Sequence, residues 1–132
     1  MDAKAESYVS KYGKRTLVIY CRVSTPRQMH SGALSVQQLS CQHYAMKRGW
    51  YGHIVMREIG PRHSLLPIRN AAMTVAMGER FRYPILVEHY DRWGLDNWRC
   101  AYEFFEKVGV YSVRECNLPK YSTFAKLFYA VG

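Results

Sequence analysis

The chain is short of acidic residues: 10 Asp and Glu stand against 19 Lys and Arg in 132 residues, for a formal net charge of +9. That imbalance favours polyanionic partners, nucleic acid before an anionic membrane. Cysteine is sparse and scattered. Cys21, Cys41, Cys100 and Cys116 form no CxxC pair, and each lies in an apolar or helical run. We expect buried free thiols in a reducing compartment rather than a disulfide framework. The histidines His30, His43, His53, His63 and His89 show no HExxH or paired-ligand spacing. No metal and no cofactor are expected. The longest apolar runs are strand-sized, and no apolar h-region precedes a cleavage site. The expectation is a cytoplasmic protein that neither crosses nor needs a membrane.

What is present suffices for one folded unit. The hydrophobic fraction of 48% supplies a core for a domain of this length without a covalent staple. Residues 1–14 are polar and mixed and read as an arm, leaving 15–132 as the domain. The β-branched and apolar run Thr16 to Cys21 reads as a buried strand. Residues 24–33 read as a loop. Ser35 and Gln38 fit a capping box, predicting a helix to about Arg48 that Gly49 ends. His53 to Arg57 predicts a second strand. Pro67 opens a helix with Ile68, Ala71, Ala72 and Val75 at helical spacing.

Pro84 to His89 predicts a third strand. Asp96 is expected to cap a helix carrying Trp98, Ala101, Tyr102 and Phe105 on one face. Val110 to Val113 predicts a fourth strand. Ser122 or Thr123 then starts a last helix striped with Phe124, Leu127, Phe128 and Val131. Strict strand–helix alternation predicts an α/β domain: a mostly parallel sheet of four to five strands with helices on both faces. Ligands of such sheets sit beyond the carboxyl ends of the strands. That places the functional loops at 22–33 and 89–95.

The segment Tyr20-Cys21-Arg22-Val23-Ser24-Thr25-Pro26-Arg27-Gln28 carries the chemistry. Arg22 and Ser24 fall on one side if the strand continues that far. An arginine beside a serine hydroxyl suits attack on a phosphodiester, because a guanidinium holds phosphate oxygens through paired hydrogen bonds. The plain alternative is a surface arginine next to a loop serine. Trp93 and Trp98 read as packing residues rather than base-stacking platforms, and Tyr20 as a strand residue packed in the sheet.

The rest of the chain resembles the resolvase/invertase family of serine recombinases, over about residues 16–131. Tyr-x-Arg-Val-Ser-Thr-x-x-Gln matches the family's first motif. Gln37 stands where the family has a glutamine at the start of its first helix, and Tyr44-Ala45 with Gly49-Trp50 resembles the end of that helix. Arg69 after Pro67, the pair Asp91-Arg92, and residues 112–123 resemble later family positions. The resemblance implies a resolvase-like fold and site-specific DNA recombination without metal or nucleotide. Ser24 would be the nucleophile, joined to a 5′ phosphate as a free 3′ hydroxyl is released. Arg22, Arg69 and Arg92 would hold the phosphate and stabilise its transition-state charge. Asp91 would orient an arginine or relay a proton. Gln28, Gln37 and Arg27 would contact DNA or support those that do. The implied partners are DNA and further copies of the chain, as a dimer and, in synapsis, a tetramer.

The pattern also departs from the family. Its usual Asp-Arg-x-x-Arg reads Asp91-Arg92-Trp93-Gly94-Leu95 here, and losing one such donor costs on the order of a hundredfold in rate. Arg99, a helical turn further on, is a candidate substitute. A Ser-Gly pair before the second helix is replaced by Arg62-His63-Ser64-Leu65-Leu66. The last helix is expected to be cut short relative to the family's, and no helix-turn-helix or zinc module follows it. These departures support an alternative, a catalytically impaired relative that binds DNA or a recombinase and regulates it. A flavodoxin-like phosphate or nucleotide binder shares the alternation but needs a glycine-rich loop after the first strand. Residues 22–31 contain no glycine.

Overall fold

The computed structural model describes residues 15–61, 65–78, 82–94 and 109–128, except for the side chains of Met29 and Phe128. Strand β1, Thr16–Val23, is buried at every position. A strand buried on both faces reads as a continuous apolar run, which is what residues 17–21 are. β2, Gly52–Ile59, pairs in parallel along its whole length with β1, from Thr16 opposite Gly52 to Val23 opposite Ile59. This full-length pairing carries β2 beyond the His53–Arg57 core visible in the sequence. β3, Ile85–Val87, lies parallel on the other side of β1, and β4, Val110–Ser112, lies parallel to β3. The strand order is β2-β1-β3-β4. The expected α/β class, a parallel sheet with helices on both faces, therefore holds, with four strands among the described residues.

Alternation along β1 divides the core. Leu17, Ile19, Cys21 and Val23 pack with Leu34, Cys41 and Ala45 of helix α2, Ala33–Lys47, and with Phe124 of helix α4, Tyr121–Phe128. Val18 and Tyr20 face the opposite way, against Ala72 and Ala76 of helix α3, Pro67–Ala76. The chain thus leaves β1 toward one face and enters β3 from the other. That makes the β1/β3 boundary the topological switch point, beside whose carboxyl ends ligands of open α/β sheets bind.

Several local expectations are corrected. The stretch 24–33 is not all loop, since Pro26–His30 forms a short helix, α1. The capping box belongs to it: the Gln28 amide N–H donates to Thr25 Oγ1 (3.4 Å), and Gln28 Oε1 accepts from Thr25 N (3.3 Å) and Ser24 N (2.7 Å). Thr25-Pro26-Arg27-Gln28 is the same Ser/Thr-x-x-Gln pattern as Ser35 to Gln38, with proline at the favoured first helical position. Ser35 is not the cap, because α2 has already begun at Ala33; its N-cap is Gly32, whose φ of 82° sets the turn and whose carbonyl accepts from Val36 N. Gln38 instead accepts from the Arg57 guanidinium.

The last helix buries Tyr121 and Phe124 against Trp50, whose indole N–H donates to Pro119 O (2.9 Å). Leu127, on the same expected stripe as Phe124, is 71% exposed; Val131 and the Phe128 side chain lie outside the described residues. Of the cysteines, Cys21 and Cys41 are buried, but Cys116 is exposed. Trp93 is buried and edge-on to Tyr20 (5.3 Å between centroids), a packing residue as expected. The arm 1–14, the helix expected after Asp96 with Trp98 and Cys100, and residues Arg62 to Ser64 lie outside the described residues. No helix among the described residues is long and apolar enough to cross a membrane.

Candidate active site at the switch point

β1 delivers Arg22 to the carboxyl edge of the sheet, with Ser24 just past the strand end. Arg22 is only 3% exposed. Its Nη1 lies 3.5 Å from Ser24 Oγ and donates to Gly60 O (2.7 Å). Its Nη2 donates to Asp91 O (2.7 Å) and its Nε to Arg92 O (2.9 Å). The guanidinium therefore joins the ends of β1 and β2 to the turn after β3. A buried arginine needs such partners, because its charge has left water. The backbone of Arg22 is held as firmly. Gln37, buried on α2, accepts from Arg22 N (3.0 Å) and donates to Arg22 O (2.9 Å).

Arg69 approaches from the first turn of α3. Its Nη1 donates to Trp93 O (2.9 Å) and Gly94 O (3.0 Å), and its guanidinium lies 5.9 Å from the Trp93 ring centroid. What places Arg69 is Glu58, which the sequence reading passed over. Glu58 is buried opposite Arg22 in the β1/β2 register. It accepts from Ile68 N (2.8 Å), Arg69 N (3.0 Å) and the Tyr20 hydroxyl (2.5 Å). Pro67 has no N–H, and the residue before it provides no side-chain cap. A carboxylate from a neighbouring strand thus satisfies the orphan donors at the positive end of the helix. Burial, reinforced by the hydrogen bond to Glu58, keeps the Tyr20 phenol protonated far above its ordinary range. The available signal was that Glu58 is the single acidic residue in the strand run Gly52–Ile59, just ahead of a proline-started helix.

Asp91 and Arg92 lie on a 3-10 turn, Tyr90–Arg92. Both reach Arg22 through backbone carbonyls rather than side chains. The Asp91 carboxylate is 72% exposed and sits 3.2 Å from His89 Nδ1. The same His89 nitrogen lies 3.1 Å from Asp91 N. A neutral ring accepts from that N–H, whereas a protonated ring donates to the carboxylate. The Arg92 guanidinium approaches Glu88 at 3.9 Å, and Arg114 approaches the same carboxylate at 3.9 Å.

Of the predicted residues, Arg22 and Ser24 meet through their side chains, Asp91 and Arg92 join Arg22 through their backbone carbonyls, and Arg69 holds the next two carbonyls of the same segment. Gln28 is exposed and committed to capping α1, Gln37 is buried behind Arg22, and Arg27 is exposed on α1. Leu95 and Arg99 lie outside the described residues. No protein-family model and no curated protein sequence matches this chain. The functional reading therefore rests on the site itself.

Proposed function

We propose that the chain is the resolvase-like catalytic domain of a serine recombinase, in which Ser24 attacks a DNA phosphodiester. The reading is supported above all by one observation: Arg22 Nη1 lies 3.5 Å from Ser24 Oγ at the switch point of the sheet, with Arg69 and Arg92 attached to the same turn. Ser24 Oγ forms a bond to phosphorus and the bond to the 3′ oxygen breaks. The serine proton passes to that leaving oxygen, giving a 5′-phosphoserine and a free 3′ hydroxyl. The arginines offset the charge of the five-coordinate phosphorus. On this reading the Asp91 carboxylate, exposed beside His89, orients an arginine or relays the proton. The net charge of +9 supplies sequence-independent attraction to the DNA backbone. Recombination further requires assembly of copies of the chain on paired sites.

A specific observation favours a second reading, that of an impaired relative acting as a DNA- or recombinase-binding regulator. Three donors of Arg22 are taken by the carbonyls of Gly60, Asp91 and Arg92. An arginine held in this way acts as a structural anchor.

The test is incubation with supercoiled DNA beside Ser24→Ala, stopped with detergent and resolved with and without protease. A protease-sensitive DNA–protein adduct formed by the unaltered protein and absent from Ser24→Ala is the result expected of the catalytic reading. Intact DNA binding with no adduct in either protein overturns it and leaves the regulator.

A further inference from the structure

The two buried-side arginines of the site hold four successive carbonyl oxygens of one short segment. Arg22 takes those of Asp91 and Arg92, and Arg69 takes those of Trp93 and Gly94. These are charge-assisted hydrogen bonds, the kind a guanidinium also makes to phosphate oxygens. The donor nearest Ser24 Oγ, Arg22 Nη1, is held by Gly60 O, while Nε and Nη2 of the same guanidinium and Nη1 of Arg69 are held by the 91–94 carbonyls. A phosphodiester gripped by these guanidiniums draws on the donors the segment holds. We infer that the 91–94 segment is an internal competitor for phosphate: its carbonyls occupy the arginine donors in the form described here, and a DNA phosphate engages them by releasing the turn. This inference rests on the reading of the site as a phosphodiester site and adds its regulation.

The energetics follow from a two-state equilibrium. If only the released form binds phosphate at full strength, the apparent affinity is the intrinsic affinity scaled by the released fraction. Loosening the turn without touching an arginine, Ser24 or Asp91 then tightens DNA binding. Gly94 allows such a change. It is buried at the end of the segment with φ of +77°, a backbone conformation that glycine adopts at no steric cost and alanine does not. Gly94→Ala strains the clamped form more than a released one. A purely structural clamp predicts the opposite sign, because straining a folded site weakens its binding.

The experiment measures binding of a fluorescent DNA duplex by anisotropy at fixed salt, using Ser24→Ala and Ser24→Ala/Gly94→Ala so that no cleavage intervenes. Hydrogen exchange of the Arg92 and Trp93 amides, which close the turn onto His89 O and Tyr90 O, is followed in Ser24→Ala with and without DNA. We expect binding about threefold to tenfold tighter in the Gly94→Ala background, and faster exchange at both amides when DNA binds. Unchanged or weaker binding overturns the inference; if Gly94→Ala does not fold, unchanged or slower exchange in Ser24→Ala with DNA bound overturns it instead. The adduct assay on the unaltered protein separates the two claims. Adduct formation with a turn that DNA does not release overturns the competitor alone. A released turn with no adduct overturns the nucleophile alone. Absence of DNA binding in every protein overturns both.

Discussion

Gln37 and Arg22 meet through both halves of one amide: Gln37 Oε1 accepts from Arg22 N at 3.0 Å and Gln37 Nε2 donates to Arg22 O at 2.9 Å. The side chain continues the sheet's hydrogen bonding from a helix and fixes the strand end that carries Arg22 toward Ser24. Replacing Gln37 by leucine leaves a buried N–H and a buried carbonyl unpaired, at about 1–3 kcal/mol each. We predict a loss of about 2–5 kcal/mol in urea unfolding with unchanged slope. Gln37→Glu, which keeps the acceptor and loses the donor, should fall between the two.

Glu58 caps α3 from a neighbouring strand. Glu58→Ala orphans two backbone N–H groups and the Tyr20 hydroxyl. A loss of about 3 kcal/mol is expected, with Glu58→Gln milder because one amide oxygen still accepts. A double-mutant cycle with Tyr20→Phe should return a coupling energy of about 1 kcal/mol or more, since the two side chains touch. A coupling near zero would show that the phenol contributes nothing to the cap.

Gly109 precedes β4 with φ of +91°, and a Cβ there would come within 2.6 Å of the Tyr111 hydroxyl oxygen and 2.7 Å of its ring. Gly109→Ala therefore combines backbone strain with a displaced ring, for an expected loss of about 1–3 kcal/mol. Adding Tyr111→Leu should recover the part due to the clash and leave the part due to φ. Thermal melts of the two variants make the comparison.

Burial raises the thiols of Cys21, to about 12, and of Cys41, further still, from an ordinary value of 9.0. A group whose proton is held more tightly in the folded state contributes stability that is complete below its unfolded value and is lost as pH rises through its folded one. Unfolding midpoints should therefore fall progressively from about pH 9 toward pH 12. Replacing each thiol by alanine should flatten the decline. At neutral pH a maleimide should label exposed Cys116 in seconds to minutes and leave Cys21 and Cys41 unlabelled until the chain unfolds, as read by peptide mass spectrometry.

Much of this was legible in the residue order. The β-branched and apolar run from Thr16 to Cys21 reads as a buried strand, and the alternation of strands with helices along the chain makes the sheet parallel. Proline and glycine marked the start of α3 and the end of α2, and the Arg22–Ser24 spacing placed both residues at a strand's carboxyl end. The capping signal was also present, but in two copies. Thr25 to Gln28 and Ser35 to Gln38 read alike, and the sequence offers no reason to choose the one preceded by a strand end over the one inside a helix.

Local pattern alone determined the α/β class, the parallel sheet and the loops that hold the candidate site, because periodicity and turn residues act over a few neighbours. Only the tertiary structure decided what the site residues do there. Arg22 draws its partners from Gly60, Asp91 and Arg92, and Glu58 reaches Tyr20 and Arg69. Those contacts join residues up to 70 positions apart. They exist because burying a charge requires any polar group within reach, and what lies within reach is set by how the strands pair rather than by spacing along the chain.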